Sequence, residues 1–428
     1  MICLGERCLH EGTVFAASAF PCPSALRSLT ENAYPVWRRG RLYKVFYFYF
    51  VCKENMTSEE RRKGRRERRI ARREEKRKAS FVPFEAVVDP DNLHKAFKRS
   101  RKEVAWKESV QRYEMNLFRN LNETVRKLLA GEDVTKGFVE FDLWERGRLR
   151  HIKSVHISER VVQKCLCTEV LIPAIVPTLI YDNSATVKDK GLHFAVRRLV
   201  CHLSKFYRKN NFSNDGYCLS IDFSKYFDRV RHDLLFEMQG EIIRDERTMK
   251  ILMDFVKPFG DGVSLGLGSE VSQISAIFYP SGKLDHFVKE KLRIKYYGRY
   301  MDDLYIIHKS REFLVGCLEK IKAKCAELGI MINEKKTRII KLSDGIRFLK
   351  GVYSLAGSGK IVHRALPASR KLIRRKLVKF MRFYRAGKMQ FPDIRCSYQS
   401  WRGNYLKRYN AYHTVRRMDG FFNRLFVF

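Results

Sequence analysis

Three aspartates in two short motifs are of the residue type that binds divalent cations. The stretch YCLSIDFSKYFD brings an apolar, strand-like run to its end at Asp222, and IKYYGRYMDDLYII places Asp302 and Asp303 between two β-rich runs. A carboxylate at a strand end is rigidly aimed, as a metal ligand must be. Two divalent ions about 3.5–4 Å apart, bridged by such carboxylates, stabilise the attacking and leaving oxygens of phosphoryl transfer. Alone, the YMDD tetrapeptide also fits a solvent-facing turn, so the interpretation depends on several motifs together.

The elements that must position these acids are predicted by hydrophobic periodicity. Residues 216–353 are patterned as strand, helix, two strands, helix and strand, the order of a split βαβ ferredoxin-like sheet. Residues 82–135 carry apolar positions at helical spacing, and the segment from Phe138 has the shorter period of strands with a turn at Gly147. The sequence therefore predicts an α+β fold in which one sheet fixes where the acids lie.

The charge of the chain indicates a polyanionic partner. Lys and Arg number 85 against 47 Asp and Glu, a formal net charge of +38, and nucleic acid is the first candidate for such a balance. The surplus is concentrated at the end of the chain, where residues 364–428 hold 17 basic side chains and only Asp393 and Asp419 as acids. A basic amphipathic helix capped by Ser369 and closed by Gly387 is predicted there, with Ile373, Leu377, Met381 and Tyr384 as its apolar stripe.

The first part of the chain differs from the rest. Residues 1–55 keep no helical or strand period, whereas a capping box, Thr57 to Glu60, opens a run of mostly basic residues after Met56. We expect Met56 to be the working start, and the basic run to be either a solvated helix or a phosphate-contacting arm. The 11 scattered cysteines favour reduced thiols in a cytoplasmic protein. The apolar run at 45–52 is too short for a membrane span, which needs about 20 residues.

Taken together, the motifs over roughly 147–353 resemble the reverse transcriptase superfamily, in the branch of group II intron, retron, diversity-generating and phage-defence enzymes. The resemblance implies a right-hand polymerase: residues 56–135 and a hairpin as fingers, 136–355 as hairpin and palm, and 356–428 as a basic helical thumb, after an uncertain extension at 1–55. It also implies that Asp222, Asp302 and Asp303 hold two Mg²⁺ ions, for which Mn²⁺ can substitute. The backbone carbonyl of Phe223 would be a further ligand.

The same resemblance implies roles around the incoming nucleotide. Arg150 first and Arg148 second, in GRLRHI, would neutralise the triphosphate, with a general backbone contact as the alternative. Lys336, in INEKKTRII, would lie near the triphosphate as well. Phe227 matches the bulky residue that blocks a ribose 2′-hydroxyl and so selects deoxynucleotides, unless it only packs under the next helix. Gln273 would contact the nucleotide from SLGLGSEVSQ.

Two further motifs resemble contacts to template and primer. Gly266 and Gly268, in the same SLGLGSEVSQ stretch, would permit close backbone approach, although many relatives have proline at the position of Gly266. Phe348, Leu349 and Gly351, in RFLKGVY, match the primer grip.

The sequence is thus interpreted as an RNA-directed DNA polymerase that binds a structured RNA template, consumes dNTPs and releases a DNA product. We expect no membrane among its partners. One alternative is an RNA-binding maturase or scaffold that retains the palm, which the intact acids disfavour. The other is an RNA-copying RNA polymerase, which Phe227 disfavours. The motifs do not separate phage defence, retrohoming, mutagenic retroelement and retron roles; the lack of an obvious accessory domain favours defence. The motifs do not identify the cognate RNA or the oligomeric state.

Overall fold

The computed structural model describes residues 84–145 and 148–426, together with scattered positions between 57 and 71; the side chains of Glu145, Arg148 and Arg150 are outside the described set. The chain divides into two compact units, Met1–Ile70 and Ala71–Phe428. In the first unit the predicted capping box is confirmed. The Thr57 N–H and hydroxyl donate to Glu60 Oε2 at 2.7 and 2.9 Å, and the Glu60 N–H donates back to Thr57 Oγ1 at 3.3 Å.

The second unit holds both helices and strands. Its helices of eight residues or more are α1 Pro90–Ser100, α2 Glu108–Met115, α3 Leu117–Leu129, α4 Ile157–Leu166, α5 Leu192–Lys209, α6 His232–Gly240, α7 Glu246–Val256, α8 Glu270–Phe278, α9 Arg311–Glu327, α10 Pro367–Arg385, α11 Phe391–Arg408 and α12 Tyr412–Phe426. Its strands are β1 Phe138–Glu145, β2 Arg148–Val155, β3 Tyr217–Asp222, β4 Tyr296–Tyr300, β5 Asp303–His308, β6 Arg338–Lys341, β7 Ile346–Phe348, β8 Gly351–Leu355 and β9 Ile361–Ala365.

A four-stranded antiparallel sheet lies at the centre, in the spatial order β4-β5-β3-β6. Helices α6 to α8 connect β3 to β4, and α9 connects β5 to β6, so the predicted split βαβ order is present. Both faces of this sheet are buried. Leu304 and Ile306 face the main core with α9, whereas Tyr305 and Ile307 face a second core with α5. The alternation follows from the two-residue period of a strand.

Helix α4 lies in the main core beside α1 and α8. Beyond Leu166 it continues through a π-helical turn, Cys167–Leu171, into Ile172–Ile175. The whole helical stretch Ile157–Thr178 is long and apolar enough to span a membrane, but 56% of its most apolar window is buried inside the fold. Packing of α4 against α1 and α8 accounts for this apolar character.

Two consecutive π-helical segments, Ser281–Asp285 and Phe287–Lys291, lead from α8 towards β4. Their backbone hydrogen bonds span five residues: the Asp285 N–H donates to the Pro280 carbonyl at 3.1 Å, and the Leu292 N–H to that of Phe287 at 3.0 Å. Such wide turns are rare and occur mostly at functional sites. Asp285, at the end of the first segment, is wholly buried.

The end of the chain forms a second sheet, β7-β8-β9, followed by a three-helix bundle, α10 to α12, with its own core. Of the predicted stripe Ile373, Leu377, Met381 and Tyr384, the first three are buried in that core, whereas Tyr384 is exposed near the end of α10. The start of α10 differs from the prediction: its N-cap is Leu366 and not Ser369, because Pro367 has the fixed φ that suits the first helical position. The predicted end is confirmed, since Gly387, with φ +67°, comes directly after the C-cap residue Ala386.

Candidate active site

Asp222 and Asp303 are cross-strand neighbours. Asp222 is the last residue of β3, Asp303 is the first of β5, and the antiparallel register pairs them directly. Asp302 lies in the two-residue turn before β5, and its carbonyl accepts a hydrogen bond of 3.2 Å from the Phe223 N–H. Two predicted motifs that are about 80 residues apart in sequence are therefore joined at one end of the central sheet.

The electrostatics of this cluster favour a cation. Burial, followed by the nearby charges of Asp302 and Asp222, raises the pKa of Asp303 to about 7, and only Lys336 opposes these effects. Three carboxylates held at adjoining strand ends carry more negative charge than one ammonium group neutralises. The donor set, carboxylate oxygens with the Phe223 carbonyl beside them, is the set that hard divalent cations such as Mg²⁺ prefer.

The segment between α9 and β6 closes one side of the cluster. Lys336 Nζ lies 2.6 Å from Asp222 Oδ2, and Asn333 Nδ2 lies 3.3 Å from the same oxygen. The Asn333 N–H also donates to the Asp222 carbonyl at 2.7 Å. Lys336 is thus where the resemblance implied, beside the acids. Asn333 was not identified from the sequence, although it stands in the same INEKKTRII motif as Lys336.

A cavity of about 400 Å³ opens onto Asp222 and Asp302. It is lined by residues 222–228, Asp302, Asn333 and Lys336, together with Leu149 and Leu267. Phe227 is half-buried in this lining, 5.9 Å from the ring of Tyr226, and its carbonyl accepts the Leu265 N–H at 2.7 Å. Phe227 thus shares a cavity lining with Asp222 and Asp302, and its role in sugar selection remains a prediction.

The SLGLGSEVSQ stretch contributes differently from the prediction. Leu267 reaches the cavity, whereas Gln273 is exposed on α8, away from the cavity lining. A Cβ at Gly266 would lie 1.8 Å from the ring of Phe259, so packing alone already requires a glycine at this position. Gly268 has φ +111° beside Lys153, a conformation that favours glycine.

The predicted fingers hairpin is formed by β1 and β2, paired from Phe138 and Val155 to Glu145 and Arg148. The backbones of Arg148 and Arg150 are in β2, and their side chains lie outside the described residues, as does Gly147. Leu149, between the two arginines, lines the cavity. The hairpin is therefore at the site, and the phosphate contacts of the two arginines remain predictions.

The RFLKGVY motif forms the β7–β8 hairpin. Phe348 is buried against the ring of Tyr305 in β5, with centroids 5.1 Å apart. Leu349 and Lys350 form the two-residue turn with φ +45° and +68°, as a type I′ turn requires. A Cβ at Gly351 would meet the Tyr353 ring at 2.5–2.8 Å, which explains this glycine by packing. The hairpin of the predicted primer grip therefore packs, through Phe348, against the sheet that carries Asp303. Phe348, Leu349 and Gly351 do not line the cavity at the acids.

One buried arginine was missed by sequence reasoning. Arg299, in β4, is 1% exposed and binds both carboxylate oxygens of Asp285 at 2.7–3.0 Å. It also donates to the carbonyl of Met301 at 3.1 Å and to that of Ile277 at 2.7 Å. Met301 has φ +58°, an uncommon conformation for a residue with a side chain. The signal in the sequence was a charged residue in an apolar strand, three positions before Asp302.

Sequence comparison agrees with this geometry. Residues 145–352 match the family described as reverse transcriptase (RNA-dependent DNA polymerase). This segment, with its carboxylate cluster at adjoining strand ends, is similar to the polymerase domains of that family, whose described activity is RNA-dependent DNA polymerisation. No curated protein matches the chain in sequence.

Similar solved structures include yeast telomerases. Apo telomerase from Candida tropicalis, truncated from its C-terminal domain, is 13% identical with a TM-score of 0.40, over 52% of this chain and 54% of that one. Telomerase from Candida albicans in complex with a TWJ fragment of telomeric RNA is 12% identical with a TM-score of 0.42, over 63% and 55%. The chain thus spans about half the length of these structures.

Proposed function

We propose that this protein extends a primer on an RNA template with deoxynucleotides, as an RNA-directed DNA polymerase. The observation that carries the proposal is the meeting of Asp222, Asp302 and Asp303 at one end of the central sheet, within the reverse transcriptase domain. Such a site needs little acid or base from the protein. Positioning and charge neutralisation carry the reaction.

Asp222, Asp302, Asp303 and the Phe223 carbonyl would hold two Mg²⁺ ions, or Mn²⁺ in their place. When bound, the ions supply charge stabilisation to the attacking primer oxygen and to the leaving pyrophosphate oxygen. The chain's own residues prepare the substrates. Lys336 neutralises the triphosphate, and the ring of Phe227 fills the space that a ribose 2′-hydroxyl would need.

Arg148 and Arg150 of the β1–β2 hairpin neutralise the triphosphate together with Lys336. Residues 56–135 with this hairpin form the fingers, 136–355 include the palm, and 356–428 form a basic thumb. The Phe348–Gly351 turn is the primer grip. Support for this division comes from the position of Leu149 in the cavity wall and from the basic composition of the last segment.

Within the superfamily, we place the chain in the branch of group II intron, retron, diversity-generating and phage-defence enzymes, acting in the cytoplasm on a specific structured RNA. Phage defence is the biological role that we propose. The excess of basic over acidic residues supports an RNA partner. An RNA-binding maturase or scaffold is the second candidate, favoured by the same charge.

Primer extension by the full chain tests the proposal. Purified protein is given an RNA template with a DNA primer, Mg²⁺ and either dNTPs or NTPs, beside an Asp302→Ala variant. We expect dNTP incorporation that is lost in the variant while binding of the template–primer, measured by fluorescence anisotropy, persists. Tight binding without incorporation under any template, primer or metal would support the scaffold function instead, and a preference for NTPs would indicate an RNA polymerase.

A further inference from the structure

A basic groove lies between α10 and α12 of the C-terminal bundle. It encloses about 550 Å³. Five of the side chains that line it are cations, and all five are exposed: Arg370, Lys371, Arg374, Arg417 and Arg424. Its floor is formed by Met418 and Phe421. The groove therefore combines five exposed positive charges with an apolar floor.

No acid lines the groove in the part of the chain that the structure describes. The one acidic residue of α12, Asp419, is on the other side of that helix, where it accepts hydrogen bonds from Tyr398 at 2.6 Å and from Arg402 at 3.0 Å, both on α11. Among described residues, the five groove cations have no ion pair. Their charge is left for an external anion.

One of these cations is already oriented. The guanidinium of Arg374 lies over the ring of Phe421, 4.6 Å from its centroid. Stacking on an aromatic face holds the planar group and leaves its N–H edges free to bind phosphate in a fork. An oriented guanidinium loses less conformational entropy on binding than a free one.

The groove faces away from the β7–β8 turn. A second cavity, on the other side of α10, is lined by Ser369 and Lys376 of that helix together with Lys350 of the turn and Tyr409. The Tyr409 hydroxyl donates to the Lys350 carbonyl at 3.0 Å, which holds the end of α11 against the β7–β8 turn, beside the second cavity. Since an α-helix turns about 100° per residue, positions 370 and 374 point away from positions 369 and 376.

We propose that the α10–α12 groove binds the phosphate backbone of a second RNA segment, outside the template–primer duplex. This inference rests on the proposed function, because the duplex is assigned to the side of α10 next to the primer-grip turn. A structured RNA has folded regions as well as a copied strand, and one molecule can contact both sides of α10. The groove would then bind the folded region of the RNA while the template strand is copied at the carboxylates of Asp222, Asp302 and Asp303.

Two RNA probes distinguish the groove from the duplex side. The first is a 12-base-pair RNA–DNA hybrid alone, and the second is the same hybrid with its template strand extended by a 30-nucleotide RNA hairpin. Affinities of the full chain are measured by fluorescence anisotropy over a series of KCl concentrations. We expect the wild-type protein to bind the extended probe at least about tenfold more tightly and with a steeper salt dependence.

The groove variant is Arg370→Glu/Arg374→Glu/Arg417→Glu. Its matched control is Arg375→Glu/Lys379→Glu/Arg382→Glu, which changes the net charge equally on an exposed third face of α10. We expect the groove variant to lose the preference for the extended probe, with a salt slope lower by about 2, and the control to keep it. Glutamine versions of both variants, with melting curves matched to wild type, exclude a folding defect.

Three results would overturn the inference: equal wild-type affinity for both probes, equal losses in the groove and control variants, or an equal loss of the hybrid alone in the groove variant. The last would place the groove on the duplex path. A polyglutamate competitor is also tested. If polyglutamate displaces the hairpin probe as effectively as RNA does, the groove binds acidic chains in general and the inference is wrong. Because all readouts are binding constants, they remain decisive even if the protein incorporates no nucleotide, so failure of the polymerase proposal is separate.

Discussion

The ammonium group of Lys336 lies 2.6 Å from a carboxylate oxygen of Asp222, so a cation from the segment before β6 reaches the end of β3. Both groups line the cavity that would receive the triphosphate. Under the proposed function, Lys336 would exchange Asp222 for a phosphate oxygen once cations occupy the carboxylates.

Replacing Lys336 by methionine should weaken nucleotide binding. A charged hydrogen bond contributes about 1.5–3 kcal/mol, so KM for dNTP should rise about 10- to 100-fold, with a smaller change in kcat. Steady-state primer extension measures both constants. Lys335→Met, at an exposed neighbouring position, should leave KM unchanged. A fall in kcat with KM unaltered would assign Lys336 to the acid cluster and not to the nucleotide.

Replacing Asp303 by asparagine should separate stability from activity. Above pH 7 and without divalent ions, the substitution removes a partly buried charge beside Asp302 and Asp222, so the melting temperature in EDTA should rise. Mg²⁺ should raise the melting temperature of wild type, because it binds only the folded state, and should raise that of the variant less. Incorporation should fall about a thousandfold or more, equivalent to about 4 kcal/mol. Asp344→Asn, at an exposed acid, is the control.

Replacing Phe227 by alanine should relax sugar selection. Removing the ring opens the cavity wall beside Asp222, so the ratio of kcat/KM for dNTP over NTP should fall about 10- to 100-fold. The ratio is measured on one template with matched bases. Phe227→Tyr keeps the ring and should keep the ratio. If Phe227→Ala lowers activity with both nucleotides equally, the ring only packs under the next helix.

Replacing Arg299 by methionine should affect both stability and catalysis, because it leaves Asp285 buried without its partner and the Met301 carbonyl without a donor. The free energy of unfolding should fall by about 3–5 kcal/mol. Adding Asp285→Leu should restore much of the stability but not kcat. That split is the readout for a positioning role; recovery of both in the double variant would indicate that Arg299 acts through stability alone. Lys295→Met is an exposed control.

The turn that follows Phe348 offers a stabilising change. Leu349 and Lys350 both have positive φ, and Asn-Gly is the pair that suits such a turn. Leu349→Asn/Lys350→Gly should therefore raise the free energy of unfolding by about 0.5–1 kcal/mol, measured by urea denaturation. A lower stability would mean that the Leu349 side chain packs more strongly than its backbone conformation costs.

The central sheet and its acids could be predicted because their pattern is local. A two-residue period with acids at strand ends specified β3, β4 and β5, and the antiparallel pairing then joined Asp222 to Asp303. Lys336 was found through its motif. The helical stripe Ile373, Leu377 and Met381 was found because its spacing matches one face of a helix.

Contacts set by tertiary packing were not predictable in the same way. Gly266 was attributed to a template, but the ring of Phe259 is what excludes a side chain there. Gln273 was expected at the nucleotide, yet the phase of α8 turns it outward. Arg299 was passed over because its partner, Asp285, is in a π-helical segment whose geometry no sequence period indicates.

That segment gives chain length a role of its own. The bond from the Asp285 N–H to the Pro280 carbonyl encloses one residue more than an α-helical turn would. Deleting one residue from 281 to 284 would let the same bond close an ordinary α-helical turn. Five residues of a π-turn and four of an α-turn each make about one revolution, so Asp285 would still face Arg299. The wide turn therefore allows the chain before Asp285 to vary by one residue without loss of the Asp285–Arg299 pair.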